Sequence, residues 1–363
     1  MPSSVAAHRK CTGAQSRRSR AAAAARVPVR APWALAGRGR HCLPGRGRRG
    51  ALIIRRGVLI RGRRGALIIR RGILIRGRRF AVVGAAMAGG LLLAALLPAA
   101  ASAGGPVYVS LGDSFTAGPL IPDQHGAPAD CLRSSHNYPS LVAAAIGASS
   151  FTDVSCSGAK TANMTAPQSV ILGTNPPELN ALSPATTVVT LGIGGNDLSF
   201  SHVVIACSAL SFTNPFGSPC KKHYTSGGPD RLALTVTQTA PKVAAVLQGI
   251  HQRAPAARVL VVGYPVVLPN TGHGCWPLVP VAFGDVSYLR GIELKLNSML
   301  ASEAAAHGAT YVNTYTDSIG HDVCQLPGTK WVEGIVPTSF AAPVHPNALG
   351  EKAMAREVLA ALG

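Results

Sequence analysis

Ser114 lies in the segment Leu111-Gly112-Asp113-Ser114-Phe115-Thr116-Ala117-Gly118, directly behind the apolar run Val107-Tyr108-Val109-Ser110-Leu111. A serine becomes a nucleophile when its hydroxyl is exposed, a base stands beside it, and backbone N–H groups are free to bind the oxyanion it creates. A glycine-flanked turn from strand to helix supplies the first and last of these conditions. The same residues read equally well as a helix cap, with Asp113 or Ser114 as the capping side chain. Residues 104–363 contain no G-x-S-x-G, so the usual nucleophile elbow is absent. Gly194-Gly195-Asn196-Asp197 offers a second ingredient. An asparagine NH₂ is a neutral donor suited to a developing oxyanion, although such a sequence alone is also an ordinary turn. His345-Pro346-Asn347 offers a third, because histidine is the natural base at neutral pH and a loop entering a helix can fix its ring. His321-Asp322 competes for that role, but neighbours in sequence do not usually point at each other.

These segments need elements to hold them. Val107–Leu111, Thr187–Ile193, Arg258–Val262 and Thr310–Val312 are short β-branched or apolar runs of the kind buried in parallel sheets. Between them, Tyr138–Ile146, Leu232–Gln252, Val286–Ala306 and Asn347–Leu362 have helical character. Pro241 is expected to kink or break the second, and Asn347 to cap the last. Strands alternating with helices predict an α/β fold with a parallel sheet covered on both faces. Ligands of such folds sit beyond the carboxyl ends of the strands. That rule singles out Gly112-Asp113-Ser114, Gly194-Gly195-Asn196-Asp197 and Gly263-Tyr264-Pro265.

The formal charge of +20 belongs to the first part of the chain. Residues 1–103 carry 22 of the 35 Lys and Arg and no Asp or Glu, which leaves residues 104–363 at −2. A basic nucleic-acid-binding domain is thereby excluded for the latter. Within 1–79, RGRRGALIIRRGVLI at 46–60 returns at 61–75 with only Val58 replaced by Ile73. Two near-identical units do not make a solenoid. They read as a tandem duplication in a leader that is disordered or lies outside the true gene product. The rival reading is an Arg-rich tether to membrane or nucleic acid. Phe80–Leu97 is an apolar stretch behind Arg78-Arg79, followed by Ala101-Ser102-Ala103. That pattern predicts a signal peptide over 80–103, cleavage after Ala103 and a secreted domain spanning 104–363. A membrane anchor is the alternative, and the arginine pair resembles a twin-arginine signal.

Cys11 and Cys42 fall in the leader, and six cysteines remain. An even number in an exported chain without a C-x-x-C pair favours disulfides over zinc. Nearest-neighbour pairing predicts Cys131–Cys156, Cys207–Cys220 and Cys275–Cys324.

Taken in order, Gly112-Asp113-Ser114, Cys156-Ser157-Gly158-Ala159, Gly195-Asn196-Asp197 and His345-Pro346 resemble the four blocks of SGNH (GDSL-type) hydrolases across essentially all of 104–363. The cysteine placement, Asn137-Tyr138-Pro139 and Gly320-His321-Asp322-Val323-Cys324 resemble the secreted actinobacterial lipase/esterase branch, with three disulfides. The resemblance implies a flavodoxin-like three-layer α/β/α fold. It implies Ser114 as nucleophile, His345 as general base and acid, and an oxyanion hole of the Ser114 N–H, the Gly158 N–H and the Asn196 side chain. The chain departs from the family where an aspartate often stands three residues before the histidine, since Ala342 occupies that position. As in some secreted relatives, the Ala342 carbonyl is expected to accept from His345 Nδ1, with Asp317 or Asp322 as the side-chain alternatives. A neutral carbonyl fixes tautomer and ring but stabilises imidazolium less than a carboxylate does.

The implied activity is hydrolysis of carboxylic esters through an acyl-enzyme by a monomer that uses no cofactor and no metal. Acyl glycerols or simple esters come first as substrates, then phospholipids cleaved by a phospholipase A activity, then acetylated carbohydrates. Transient contact with lipid surfaces fits such substrates. The loops 119–128, 209–219 and 266–282 are candidate walls of an acyl groove. An envelope-binding protein that keeps the fold without activity is the reading of another class.

Overall fold

The structure, a computed structural model, describes residues 104–363. The expectations for the leader and signal peptide fall outside the described residues. Five strands form one parallel sheet: β1 (Val107–Gly112), β2 (Ser150–Asp153), β3 (Val188–Gly192), β4 (Arg258–Val262) and β5 (Thr310–Val312). Their spatial order is β2-β1-β3-β4-β5, the doubly wound order of flavodoxin-like folds.

Alternation along the strands builds a core on each face. Tyr108, Val188, Leu260 and Val262 point toward α2 (Tyr138–Ala145) and α8 (Ala348–Leu362). Val109, Leu111, Val189, Leu191, Val259 and Val261 point toward α5 (Arg231–Arg253) and α6 (Phe283–Ala306). The result is three layers, α/β/α. The remaining helices are α1 (Ser114–Ala117), α3 (Phe200–Ser211), α4 (Pro219–Thr225) and α7 (Thr314–Asp317).

Two features differ from the sequence reading. The helix expected to kink or break at Pro241 does not break: it runs as one element from Arg231 to Arg253, with Thr235, Thr237 and Thr239 bonding back to carbonyls four residues earlier. The strand β2 and the helix α3 are additional elements. The three disulfides pair as nearest neighbours: Cys131–Cys156, Cys207–Cys220 and Cys275–Cys324.

Register is what positions the chemistry. Gly112 of β1 pairs with Gly192 of β3, so the two strands end level and hand over to Asp113-Ser114 and Gly194-Gly195-Asn196 side by side. Buried carboxyl groups stitch the periphery: Glu178 accepts the Gly112 N–H at 2.7 Å, and Glu351 accepts the Tyr138 N–H at 2.7 Å. Burial pushes both well above the usual carboxyl range.

Candidate active site

Ser114 is the first residue of α1, and Asp113 caps that helix by accepting the Phe115 N–H at 2.9 Å. Asp113 is therefore the cap, and Ser114 stands just beyond the end of the strand. Gly112 has a φ of +152°, and a Cβ there would collide with the Gly192 carbonyl and the Thr116 hydroxyl. No other residue fits so sharp an exit from β1.

The structure brings His345 to Ser114 across 231 residues of sequence: Nε2 stands 2.8 Å from the Ser114 Oγ. The histidine-orienting carbonyl is not that of Ala342 as expected. Pro343 O stands 2.8 Å from Nδ1. The cause is local. The Ala342 carbonyl already accepts the His345 backbone N–H at 3.2 Å, closing a turn. Val344 takes a left-handed φ of +62°, which swings the Pro343 carbonyl back beneath the ring. A β-branched residue in that region is strained, and it is held by Val344 N–H to Glu333 O at 3.1 Å and Glu333 N–H to His345 O at 2.9 Å. Neither Asp317 nor Asp322 reaches the ring; Asp322 accepts instead from Cys324 N and Gln325 Nε2. The competing His321 bonds the Thr329 carbonyl and stacks on Trp331 at 3.8 Å between centroids.

With a carbonyl as its partner, Nδ1 carries the proton and Nε2 presents its lone pair to the serine hydroxyl. Burial lowers the His345 pKa below the ordinary 6.5, with the Pro343 bond opposing the shift. The imidazole is thus neutral near neutral pH and ready to accept a proton. Phe115 packs against the ring at 4.9 Å.

Behind the loop, Asn347 caps α8 and also donates to Lys330 O and to Glu333 Oε1. Burial pushes the Glu333 carboxyl up, but bonds from Thr338, Asn347 and Lys330 outweigh it and leave it below its usual range.

Three donors face the same end of the sheet. Among the described residues, neither the Ser114 N–H nor the Gly158 N–H has a hydrogen-bond partner. Gly158 has a φ of +83°, and its segment lies against the end of β1 through Cys156 N–H to Gly112 O at 2.9 Å. Asn196 donates one Nδ2 hydrogen to Ala159 O at 3.0 Å and keeps the second free. Asp197 fastens the two segments further, accepting from Thr161 N at 2.9 Å and Thr161 Oγ1 at 2.7 Å.

Tyr264 is the site residue to which sequence reasoning gave no role, although the strand-end rule had singled out its segment. Its hydroxyl donates to Asp113 Oδ2 at 2.5 Å and accepts the Gly195 N–H at 2.8 Å. One phenol therefore couples the ends of β1, β3 and β4. Burial pushes Asp113 up to about 7, opposed by the bonds from Tyr264 and Phe115.

A cavity of about 120 Å³ opens at Ser114 and Asn196 and continues between α3, α6 and the loop after β4. Its walls are apolar, with Val203, Val204, Val267, Leu268, Val279 and Ile292 among them. Of the loops expected to form a groove, only 266–282 lines it; α3 takes the place of 119–128 and 209–219.

A serine–histidine pair beyond the carboxyl ends of a doubly wound sheet, beside an apolar cavity, defines an ester hydrolase of the SGNH fold. The chain belongs to the GDSL-like Lipase/Acylhydrolase family, which it matches over residues 110–353. It is 41% identical over 259 residues to Lipase 2 of Streptomyces coelicolor, covering 70% of this chain and 85% of that one. Among solved structures it is similar to phospholipase A1 from Streptomyces albidoflavus NA297 (28% identity, TM-score 0.59) and to the extracellular lipase from Streptomyces rimosus (26%, TM-score 0.57). Each comparison covers 71% of this chain and 100% of the other. The protein is a carboxylic ester hydrolase.

Proposed function

We propose that this is a secreted lipase or carboxylesterase in which Ser114 and His345 act as a dyad. The observation that carries the reading is the 2.8 Å contact between Ser114 Oγ and His345 Nε2 at the mouth of an apolar cavity. Ser114 Oγ attacks the ester carbonyl while Nε2 takes its proton. The carbonyl π electrons move onto oxygen, and the oxyanion is received by the Ser114 and Gly158 N–H groups and the free Nδ2 hydrogen of Asn196. Collapse expels the alcohol, which leaves with the proton from Nε2. Water then repeats the sequence on the acyl-enzyme. The Pro343 carbonyl holds the imidazolium by a dipole rather than a charge.

The acyl chain lies in the cavity walled by α3 and the loop after β4. Phospholipids present the same ester chemistry, and the likeness to a phospholipase A1 brings them into the substrate panel. Residues 80–103 act as the export signal, removed after Ala103.

The test is hydrolysis of p-nitrophenyl esters of increasing acyl length and of phosphatidylcholine by the wild type and Ser114→Ala. The reading expects turnover that Ser114→Ala abolishes. A well-folded wild type silent on every ester would overturn it in favour of a binding protein. N-terminal sequencing of released protein should begin at Gly104; recovery of the 46–79 repeat in it would refute the export assignment.

A further inference from the structure

The surface past the far end of α3, next to the cavity's outer walls, is unusual in what it exposes and in what it omits. Just beyond α3, Phe212 is 65% exposed and Phe216 is 77% exposed, and in the loop after β4 Leu278 is 80% exposed. These residues belong to one continuous rim. Phe212 packs edge-on to Trp276 at 6.0 Å, Phe216 to Phe283 at 5.3 Å, and Phe283 N–H bonds to Pro215 O at 2.8 Å. The rim is continuous with the cavity as well, because Val203, Val204 and Ser208 of α3 and Val279 and Val281 of the facing loop line it.

Carboxylates are missing from this rim. Residues 198–229 and 267–284 contain no Asp or Glu. The acids that bound these segments are all engaged: Asp197 accepts from Thr161 and pairs with Lys242, half-buried Asp230 caps α5 and accepts from the Tyr288 hydroxyl, and buried Asp285 accepts the Cys220 and Lys221 N–H groups. Exposed cations are present: Lys221 and Lys222 stand on α4, which the Cys207–Cys220 bridge staples to α3. A shallow cleft of about 460 Å³ beside them has Asn214, Ser218 and Lys222 in its lining as donors for phosphate oxygens, while the Thr213 and Ser226 hydroxyls are spent on the Leu210 and His223 carbonyls.

We infer that this rim, α3 through α4 with residues 275–283, docks the protein onto anionic lipid surfaces, its aromatic side chains entering the acyl boundary and its lysines and cleft meeting phosphate headgroups. Exposed apolar patches rimmed by polar residues mark such interfaces. Aromatics on one side and Lys on the other are the pattern of interfacial binding. The absence of carboxylates removes the repulsion that an anionic surface would otherwise meet. Docking here would set the α3 wall of the cavity beside the lipid, with Val203, Val204 and Ser208 lining the way along α3 toward Ser114. The inference rests on the hydrolase reading for its purpose but not for its measurement.

Binding is measured by sedimentation of the Ser114→Ala protein with vesicles of phosphatidylcholine alone and of phosphatidylcholine with an equal part of phosphatidylglycerol. Tighter binding to the anionic vesicles is expected. Lys221→Gln with Lys222→Gln should erase about thirty-fold of that preference, roughly fivefold for each lysine. Phe212→Ser with Phe216→Ser should weaken binding to both vesicles at least tenfold. These four residues lie outside the cavity walls, so with Ser114 restored the variants should turn over a soluble p-nitrophenyl ester within twofold of wild type, which also verifies their folding.

Equal affinity for the two vesicles, or binding indifferent to the phenylalanine pair, overturns the inference. So does a concentration-dependent dimer that the phenylalanine variants dissolve while vesicle binding persists, since the rim would then cover a second copy. Failure of soluble-ester turnover in the wild type would instead strike the hydrolase reading and leave the binding result standing.

Discussion

Replacing Asn196 by alanine removes one donor of the oxyanion site and the tether of another. Its Nδ2 spends one hydrogen on Ala159 O at 3.0 Å and has one left to give. Loss of a single oxyanion donor costs about 10²–10³ in kcat, or about 2.7–4 kcal/mol of transition-state stabilisation. Two structural details move the expectation to the upper end. The Asn196–Ala159 bond tethers the segment that carries Gly158, so its removal loosens a second donor. The cavity beside it is apolar, so little water is at hand to replace the lost bond. The expected fall in kcat is therefore about 10³ with KM within threefold, since the donor serves charge that develops only after binding. Stability should suffer little, because one partly exposed hydrogen bond contributes about 0.5–1.5 kcal/mol. At roughly 2–4 °C per kcal/mol for a domain of this size, Tm should drop by no more than about 6 °C. Asn196→Asp keeps the volume but turns the donor into a negative acceptor and should fall at least as far. The assay is steady-state hydrolysis of p-nitrophenyl butyrate, with a thermal melt on each variant. An Asn196→Ala enzyme that keeps kcat within fivefold of wild type, or loses efficiency only through KM, would refute the assignment.

The remaining expectations concern the histidine, the tyrosine and the buried acids. Because burial lowers the His345 pKa, the neutral base persists below the ordinary 6.5; kcat/KM on a neutral ester should decline on the acid side with a midpoint under 6.5, and a midpoint above 7 contradicts this environment. Tyr264→Phe strands the Gly195 N–H and Asp113 Oδ2, at about 1–3 kcal/mol each; a lower Tm together with a more than tenfold loss of kcat is expected, and an unchanged kcat would separate the tyrosine from the oxyanion segment. Glu178 and Glu351 hold protons in the folded state that the unfolded chain releases above about 4.5. Their contribution is complete below that pH and is lost as pH rises through their folded values, so denaturant stability should fall with rising pH in that range. Glu178→Gln with Glu351→Gln should flatten the slope, and an unchanged slope would mean that both acids ionise freely.

Much of this arrangement was legible in the chain because its signals are local. Three central strands are β-branched runs that end in glycine or small polar residues, and the strand-end rule then names the segments that converge. Nearest-neighbour pairing of the cysteines matches all three bridges, although only Cys207–Cys220 joins consecutive elements; Cys131–Cys156 spans α2 and β2, and Cys275–Cys324 spans α6, β5 and α7. What escaped was set by context. The strand β2 reads Ser-Phe-Thr-Asp, a polar edge with one neighbour, which lacks the apolar run of a buried strand. The helix α3 carries Val203-Val204-Ile205, residues of high strand propensity, and divides its apolar side chains between the cavity and solvent. Tyr264 sits 151 residues from the aspartate it bonds. The shift from the Ala342 carbonyl to that of Pro343 turns on a left-handed valine, a backbone state that its residue type disfavours and no pattern announces.

The central claim is that Ser114 is the nucleophile that His345 activates, and covalent trapping reaches it most directly. Incubation with diethyl p-nitrophenyl phosphate, followed by intact mass and peptide mapping, should give one adduct per chain on the peptide containing Ser114. His345→Ala should slow its formation by orders of magnitude, and Ser114→Ala should abolish it. An adduct on another residue, or ester hydrolysis that persists at full rate in an unlabelled protein, would contradict the account.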